Sequence, residues 1–181
     1  MKNKLLLPIS GEVLISNFVK SLCTSNVDEV VVVVGHEAEK IEGVLQGQPV
    51  RFVENLRYME GMTSSIQTGI QAASAESDGL LICLADQPFI ETSDFNRLIH
   101  EFTDLFDSKS SLIIVPVFKG QSGNPVLFSH QFRDIILQHT GEGCRDIVLK
   151  HPECVREVEM GNDHVLQDVD TPEDYKRFCT D

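Results

Sequence analysis

Three aspartates carry the most chemistry this sequence offers. Asp86 closes the apolar run Leu80-Leu81-Ile82-Cys83-Leu84-Ala85. A carboxylate at the end of a buried strand projects beyond the sheet, where α/β proteins bind their ligands. Magnesium is typically held by one or two carboxylates together with substrate phosphates, so Asp86 is a candidate metal ligand. The same residues also read as a plain turn, because Asp-Gln-Pro punctuates any strand end well. Asp168 and Asp170 flank Val169. In an extended segment alternate side chains share a face, so one of them can complete a cation site with Asp86. The bland reading is that Asp170 only helps Thr171 to cap the helix opened by Thr171-Pro172-Glu173-Asp174.

Glycines and hydroxyls form the second group. Gly61-Met62-Thr63-Ser64-Ser65 precedes the helical stripe Ile66, Ile70 and Ala73. Glycine lets a ligand approach the backbone, and hydroxyls beside the free N–H groups of a helix start suit a nucleobase, ribose or phosphate. An ordinary N-cap explains the same residues. Gly120-Gln121-Ser122-Gly123-Asn124-Pro125 lies between two strands and either lines a pocket or turns a hairpin. Gly141-Glu142-Gly143-Cys144-Arg145 is similar, with Arg145 its only cation, and also reads as a helix start. His36 after Gly35 reads as a loop or cap histidine. Cys83, inside an apolar strand, reads as an inert core residue. No nucleophile-elbow serine and no Walker-type phosphate loop is present.

The elements that must position these residues alternate. Five valines at 30–34 suit a parallel strand buried on both faces. Residues 80–85 and 111–117 are further strands, with Pro116 limiting the ladder at the end of the latter. Weaker strands are expected at 50–53, 125–128, 155–159 and 164–167. Helical stripes lie between: Val13, Leu14, Phe18 and Leu22; Ile41, Val44 and Leu45; and the clearest, Phe95, Leu98, Ile99, Phe102 and Leu105 or Phe106. Alternation of this kind implies βαβ units and a doubly wound α/β sheet with right-handed crossovers.

The chain has 181 residues, a formal net charge of −13 and 41% hydrophobic residues. That is enough for one domain with a full core, taken as residues 1–181. The acid excess argues against nucleic acid or an anionic membrane as partner. The five cysteines, Cys23, Cys83, Cys144, Cys154 and Cys179, form no C-x-x-C pair and are odd in number. A reduced, cytoplasmic chain follows, with no zinc site. No apolar run reaches the roughly 18 residues that a membrane span needs.

Six segments, in order, resemble one family: Lys4-Leu5-Leu6-Leu7-Pro8, Val33-Val34-Gly35-His36, Glu60-Gly61-Met62-Thr63-Ser64-Ser65-Ile66, Leu84-Ala85-Asp86-Gln87-Pro88, Gly123-Asn124-Pro125-Val126-Leu127-Phe128 and Asp168-Val169-Asp170-Thr171-Pro172-Glu173-Asp174. Together they resemble the MobA-like nucleotidyltransferases, and within them the molybdenum cofactor cytidylyltransferase type. The resemblance implies a three-layer, doubly wound, mostly parallel sheet, Rossmann-like and similar to the nucleotide-diphospho-sugar transferases. It implies transfer of CMP from CTP (or of GMP from GTP in a sister branch) to the terminal phosphate of molybdopterin, releasing pyrophosphate, with magnesium on the triphosphate. By motif match Asp86 is the main metal ligand, and Asp170 or Asp168 supplies the second carboxylate. Gly61, Ser64 and Ser65 lie by the nucleotide, and Lys4 faces the triphosphate. Gly123, Asn124 and Pro125 stand where the family has Gly-His-Pro, on the acceptor side. Asn124 keeps a hydrogen-bonding side chain there but removes a titratable one.

The family also opens with a strand and a glycine-rich loop of the type L-A-A-G-x-S-x-R-M-G ahead of the lysine. Here only three residues precede Lys4. The resemblance therefore implies a domain short at its N-terminal side. Its sheet lacks the first strand, near the middle, and the triphosphate lacks that cradle. Two other outcomes remain open. One is a related transferase acting on a different phosphorylated acceptor. The other is a non-catalytic molybdopterin-binding or insertion partner of a molybdenum enzyme.

Overall fold

β-Branched side chains are stiff at χ1 and favour extended backbone, and the valine run accordingly forms a strand. The computed structural model describes residues 3–9 and 11–178, so Cys179 lies outside it. In chain order the elements are β1 (Pro8–Ile9), β2 (Glu12–Val13), α1 (Leu14–Cys23), β3 (Val31–Val34), α2 (Ala38–Val44), β4 (Arg51–Glu54), α3 (Met62–Ala72) and β5 (Gly79–Ile82). They continue with α4 (Thr92–Leu105), β6 (Ile113–Phe118), β7 (Gln121–Ser122), β8 (Val126–Ser129), α5 (Arg133–Leu137), α6 (Arg145–Lys150), β9 (Val155–Glu159) and α7 (Pro172–Phe178). Helix α4 begins with a capping box in which Glu91 and Asp94 bond each other's backbone N–H groups.

Strand β3 pairs in parallel with β4. A second sheet has the order β5-β8-β6-β7, with β9 parallel to β6. Strand β8 is antiparallel to both β5 and β6, so β5, β6 and β9 point one way. The carboxyl ends of β3 and β5 converge on the short turn Lys4–Leu6, because Asn3, Lys4, Gly35 and Asp86 border one cleft. Strands β3, β4, β5, β6 and β9 therefore share a direction. Alternation along β6 divides the core. Ile113 and Val115 pack with Ile70, Ile136 and Ile147 of α3, α5 and α6. Ile114 packs with Leu98 and Phe102 of α4. Helix α1 shares the α4 face through Ile15, Phe18 and Phe95. The result is the helix–sheet–helix, doubly wound α/β architecture expected.

Four details bear on the sequence reading. First, the two sheets do not meet. A cleft of about 1330 Å³ runs between β3 and β5. Second, of the valine run only Val30 and Val34 are buried, at 8% and 4% exposure. Val31 and Val33 line the cleft and stay half-buried. Third, β6 continues through Pro116 to Phe118. Met160 N–H bonds the Val117 carbonyl, so Pro116 faces the β7–β8 side, beyond the last β6–β8 pair, Ile114 with Leu127. The Pro116 carbonyl accepts the Gly123 N–H at 2.9 Å but the proline returns no N–H, so it limits the ladder on that side as expected. Fourth, residues 164–167 form no strand. Asn162 Oδ1 accepts the His164 N–H at 3.1 Å and folds the segment into the turn His164–Leu166.

The four described cysteines are unpaired. Among the described residues no helix is long and apolar enough to cross a membrane. Phe95 is fully buried, edge-on to Phe18 with centroids 5.7 Å apart. Phe95→Ala is expected to cost about 3–5 kcal/mol in urea denaturation. A change under about 1 kcal/mol would show that the α1–α4 face is loosely packed.

Candidate functional site

After Ile82 the chain leaves the sheet, and Asp86 comes to lie in the turn beyond β5. Its main-chain carbonyl accepts the Val169 N–H at 3.0 Å. Val169 is 1% exposed and packs with Ile9 and Leu14. This buried valine pins the 168–170 segment against the Asp86 turn, with the two aspartates on either side of it. Lys4 then bridges the pair. Its Nζ lies 2.7 Å from Asp86 Oδ2 and 2.6 Å from Asp170 Oδ1.

The electrostatics follow from that grouping. Burial pushes the Asp168 carboxyl above its usual value of 3.8, and the negative charges of Asp170 and Asp86 push it the same way. Burial works against the Lys4 ammonium. Hydrogen bonds and charge from Asp170 and Asp86 outweigh it and hold Lys4 above 10.5. Asp86 Oδ1 is buried and has no partner within the chain. An orphaned carboxylate oxygen flanked by two more carboxylates fits a hard divalent cation, with Asp86, Asp170 and Asp168 as the oxygen donors.

One carbonyl ties this cluster to the glycine loop. Val165 C=O accepts the Gln87 Nε2–H at 3.1 Å and the Asn124 N–H at 3.0 Å. Gln87 is 2% exposed. Gly123 N–H bonds the Pro116 carbonyl at 2.9 Å, and the Asn124–Pro125 peptide is cis. A Cβ on Gly123 would lie 2.3 Å from the Val165 oxygen, so only glycine admits this approach. The structure thus brings Gly123, Asn124 and Pro125 beside the turn that carries Asp86.

The hydroxyl group divides. Gly61 adopts φ 104°, a conformation that favours glycine, and leads into α3. Ser64 is 5% exposed. Its Oγ receives Asn55 Nδ2–H at 2.9 Å and lies within bonding distance of the Gly61 and Arg57 carbonyls. Ser65 Oγ accepts from the same Asn55 amide at 3.0 Å, and Ser65 borders the cleft. Ser64 shapes the loop; Ser65 faces the open space. Thr63 Oγ1 donates to the Gly141 carbonyl and accepts the Gly143 N–H, which fastens the 141–143 loop to α3. Arg145 starts α6. Gly35 packs under Tyr58, where a Cβ would come within 2.7 Å of that side chain. Cys83 takes no part, since burial pushes its thiol up to about 12.

The sequence reading missed Asn55 and the role of Val165. Asn55 follows β4 just as Gly35 follows β3, so its place beyond a strand end was a usable signal. Val165 acts through its backbone, which no side-chain motif reports. Among the described residues, the one His/Cys/Asp/Glu trio with ligand atoms all within 4.8 Å is His151, Glu153 and Cys154. It lies at the amino end of β9, opposite the Asp86 end.

Comparison with known proteins fits this geometry. The model of the MobA-like NTP transferase domain matches residues 1–155. The chain belongs to that family. Among curated relatives, nicotine blue oxidoreductase of Paenarthrobacter nicotinovorans is 26% identical over 179 residues, covering 97% of this chain and 87% of the relative. Among solved structures, a nucleotidyl transferase from Methanothermobacter thermautotroptrophicus superposes with a TM-score of 0.82 at 25% identity, over 96% of this chain and 82% of that one. A Mycobacterium tuberculosis protein solved with manganese shares the fold, with a TM-score of 0.80 at 24% identity over 98% and 91% of the two chains.

Two consequences can be measured. Because the folded pKa of Lys4 is raised, its contribution to stability is complete below 10.5 and is lost as pH rises through the folded value. Lys4→Met should therefore flatten the alkaline limb of stability against pH in urea titrations; superimposable limbs would refute the ion-pair assignment. Gly123→Ala should cost about 1–3 kcal/mol in the same assay, because the methyl group must push the Val165 carbonyl off its two donors. An unchanged midpoint would mean that this contact is not tight.

Proposed function

We propose that this chain acts as a metal-dependent nucleotidyltransferase of the molybdenum cofactor cytidylyltransferase type, with residues 1–181 as one nucleotidyltransferase-like unit. The observation that carries this reading is the partnerless Asp86 Oδ1 beside Asp168, Asp170 and Lys4, next to the Gly123-Asn124-Pro125 loop. Family membership supports it. The manganese bound by the Mycobacterium tuberculosis neighbour supports a divalent cation, and magnesium is the physiological choice for triphosphate chemistry.

Asp86 and Asp170, with Asp168 behind them, would hold the cation. A bound magnesium neutralises triphosphate charge and favours in-line displacement at the α-phosphorus. The residues do the rest. Lys4 swings from its carboxylates to the incoming triphosphate and balances the charge that accumulates on the departing pyrophosphate. Gly61 and Ser65 contact the nucleotide, and Ser64 and Asn55 keep their loop in shape. Gly123, Asn124 and Pro125 seat the acceptor so that its terminal phosphate oxygen faces the α-phosphorus. That oxygen forms the new P–O bond as the bond to pyrophosphate breaks, which gives a CMP–molybdopterin diester of phosphoric anhydride type. Asn124 orients by hydrogen bonding and exchanges no proton.

A second reading has its own observation. Lys4 already neutralises two of the carboxylates, an arrangement that also suits a protein that binds a phosphorylated cofactor without turning over CTP. One experiment separates the two. Titration calorimetry with CTP and magnesium should show binding that Asp86→Asn weakens at least about tenfold, or 1.4 kcal/mol. Pyrophosphate should appear when a molybdopterin acceptor is added. CTP binding without pyrophosphate would favour the non-catalytic reading. Release with a different phosphorylated acceptor alone would move the assignment to a related transferase. Absence of any metal-dependent nucleotide binding overturns the proposal.

A further inference from the structure

A second set of donor atoms gathers at the amino end of β9, across the sheet from Asp86. One turn builds it. His151 ends α6, with its N–H on the Val148 carbonyl at 3.3 Å. Pro152 then opens a single 3₁₀ turn, Pro152–Cys154, at the first position, which suits its fixed φ and missing N–H. The Cys154 N–H closes the turn on the His151 carbonyl at 3.0 Å. Residues i and i+3 of a 3₁₀ turn eclipse, so the side chains of His151 and Cys154 come to one side. Glu153 reaches the same point. Its Oε1 lies 3.4 Å from His151 Nδ1 and 3.7 Å from Cys154 Sγ.

The core holds two of these donors in place. The His151 ring stands edge-on to Phe132, with centroids 5.4 Å apart, and Phe132 is fully buried. Cys154 packs against the cluster of Ile70, Phe132, Ile136 and Ile147. The Glu153 side chain is 67% exposed and can adjust to what arrives.

Nitrogen, oxygen and sulfur make a mixed donor set. Imidazole and thiolate suit borderline ions such as zinc and cobalt, whereas magnesium and calcium take oxygen. The spacing fits as well. Tetrahedral bonds of about 2.0–2.3 Å set their donors roughly 3.3–3.6 Å apart. The two edges that meet at Glu153 Oε1 measure 3.4 and 3.7 Å, and all three donors lie within 4.8 Å of one another. At most about 1.3 Å of side-chain movement closes the third edge.

We infer that His151, Glu153 and Cys154 bind one borderline divalent transition-metal ion of the zinc type, with water in the fourth position. Binding is balanced simply: the thiol gives its proton to solvent, and the imidazole offers the Nδ1 lone pair with its proton on Nε2. The site is separate from the carboxylate cluster and holds whatever that cluster binds. Spacing rules for zinc look for paired cysteines and histidines, and here three residue types share one turn. The bound ion clamps the end of α6 to the start of β9.

Cobalt(II) alone is the probe, because cobalt–thiolate bonding gives a charge-transfer band in the near ultraviolet. Titration of the reduced full chain should raise that band to saturation at one cobalt per chain, and zinc should then bleach it. Excess magnesium should leave it in place. Cys154→Ser should abolish the band. His151→Gln and Glu153→Gln should each weaken cobalt binding at least about tenfold. Circular dichroism reports whether each variant folds; if Cys154→Ser does not, the exposed Glu153→Gln decides the matter. The inference is overturned if the unsubstituted chain gives no thiolate band. It is overturned if the band persists in Cys154→Ser, which assigns it to another cysteine. Equal affinity in either His151→Gln or Glu153→Gln also overturns it, since the three donors then do not act together.

Discussion

The Val165 carbonyl is where the site is assembled. It accepts one hydrogen bond from the Gln87 amide, beside Asp86, and another from the Asn124 backbone N–H. Three stretches far apart in sequence therefore meet on one oxygen: the turn beyond β5, the glycine loop before β8, and the segment that leads to Asp168. Both donors are backbone or amide groups without charge, so the junction does not depend on pH. The junction also explains why Gly123 must lack a side chain. Val169, one residue past Asp168, adds the second pin by bonding the Asp86 carbonyl. With both pins in place the 168–170 segment is held against the Asp86 turn, as the proposed cation site requires.

Such an arrangement works against stability. Burial raises the Asp168 carboxyl above its usual value, and the repulsion of Asp170 and Asp86 adds to it. Lys4 is the local remedy. Its ion pair with Asp170 involves a carboxylate that is 62% exposed and contributes little by itself. The Asp86 pair matters more, because that side chain is only 20% exposed. Even so, Lys4 reaches a single oxygen of Asp86 and leaves Oδ1 unsatisfied. Stability alone does not account for this cluster; an apolar turn would cost less. A charge-rich, partly satisfied group at the carboxyl ends of parallel strands is better understood as a ligand site.

Much of this was legible in the sequence, for reasons that can be stated. The α4 stripe was readable because Phe95, Leu98 and Phe102 recur at helical spacing, and all three are buried. Asp86 was readable because an acid after an apolar run marks a strand end. The pairing of Asp168 and Asp170 with Asp86 came from the family resemblance, since the residues by themselves read equally as a helix cap. What local sequence cannot encode is partnership. The valines of β3 look like a strand buried on all sides, since β-branched runs carry no record of which neighbours are present. Likewise residues 164–167 carry the apolar pair Val165-Leu166 that suggests a short strand, but Asn162 bends the segment into a turn through a bond to His164. Ser64 and Ser65 are adjacent and alike, yet the backbone turns one inward and one outward. Asn55 bonds both hydroxyls, so the register of α3, not the amide, sets which one is buried.

The cleft and the carboxylate cluster share one boundary. Lys4 and Asp86 belong to the site, and both also border the open end of the cleft. Asp86 depends on β5 for its position, and the far edge of β5 has no strand beside it among the described residues. A strand anchored on one edge is freer to move than one anchored on two, because half of its backbone groups exchange partners with water. The Val165 junction holds the Asp86 turn from above, through Gln87, but it does not hold the strand below. The cluster is thus positioned from the C-terminal half of the chain, through the Gln87–Val165 and Val169–Asp86 bonds, rather than by the strand that leads into it.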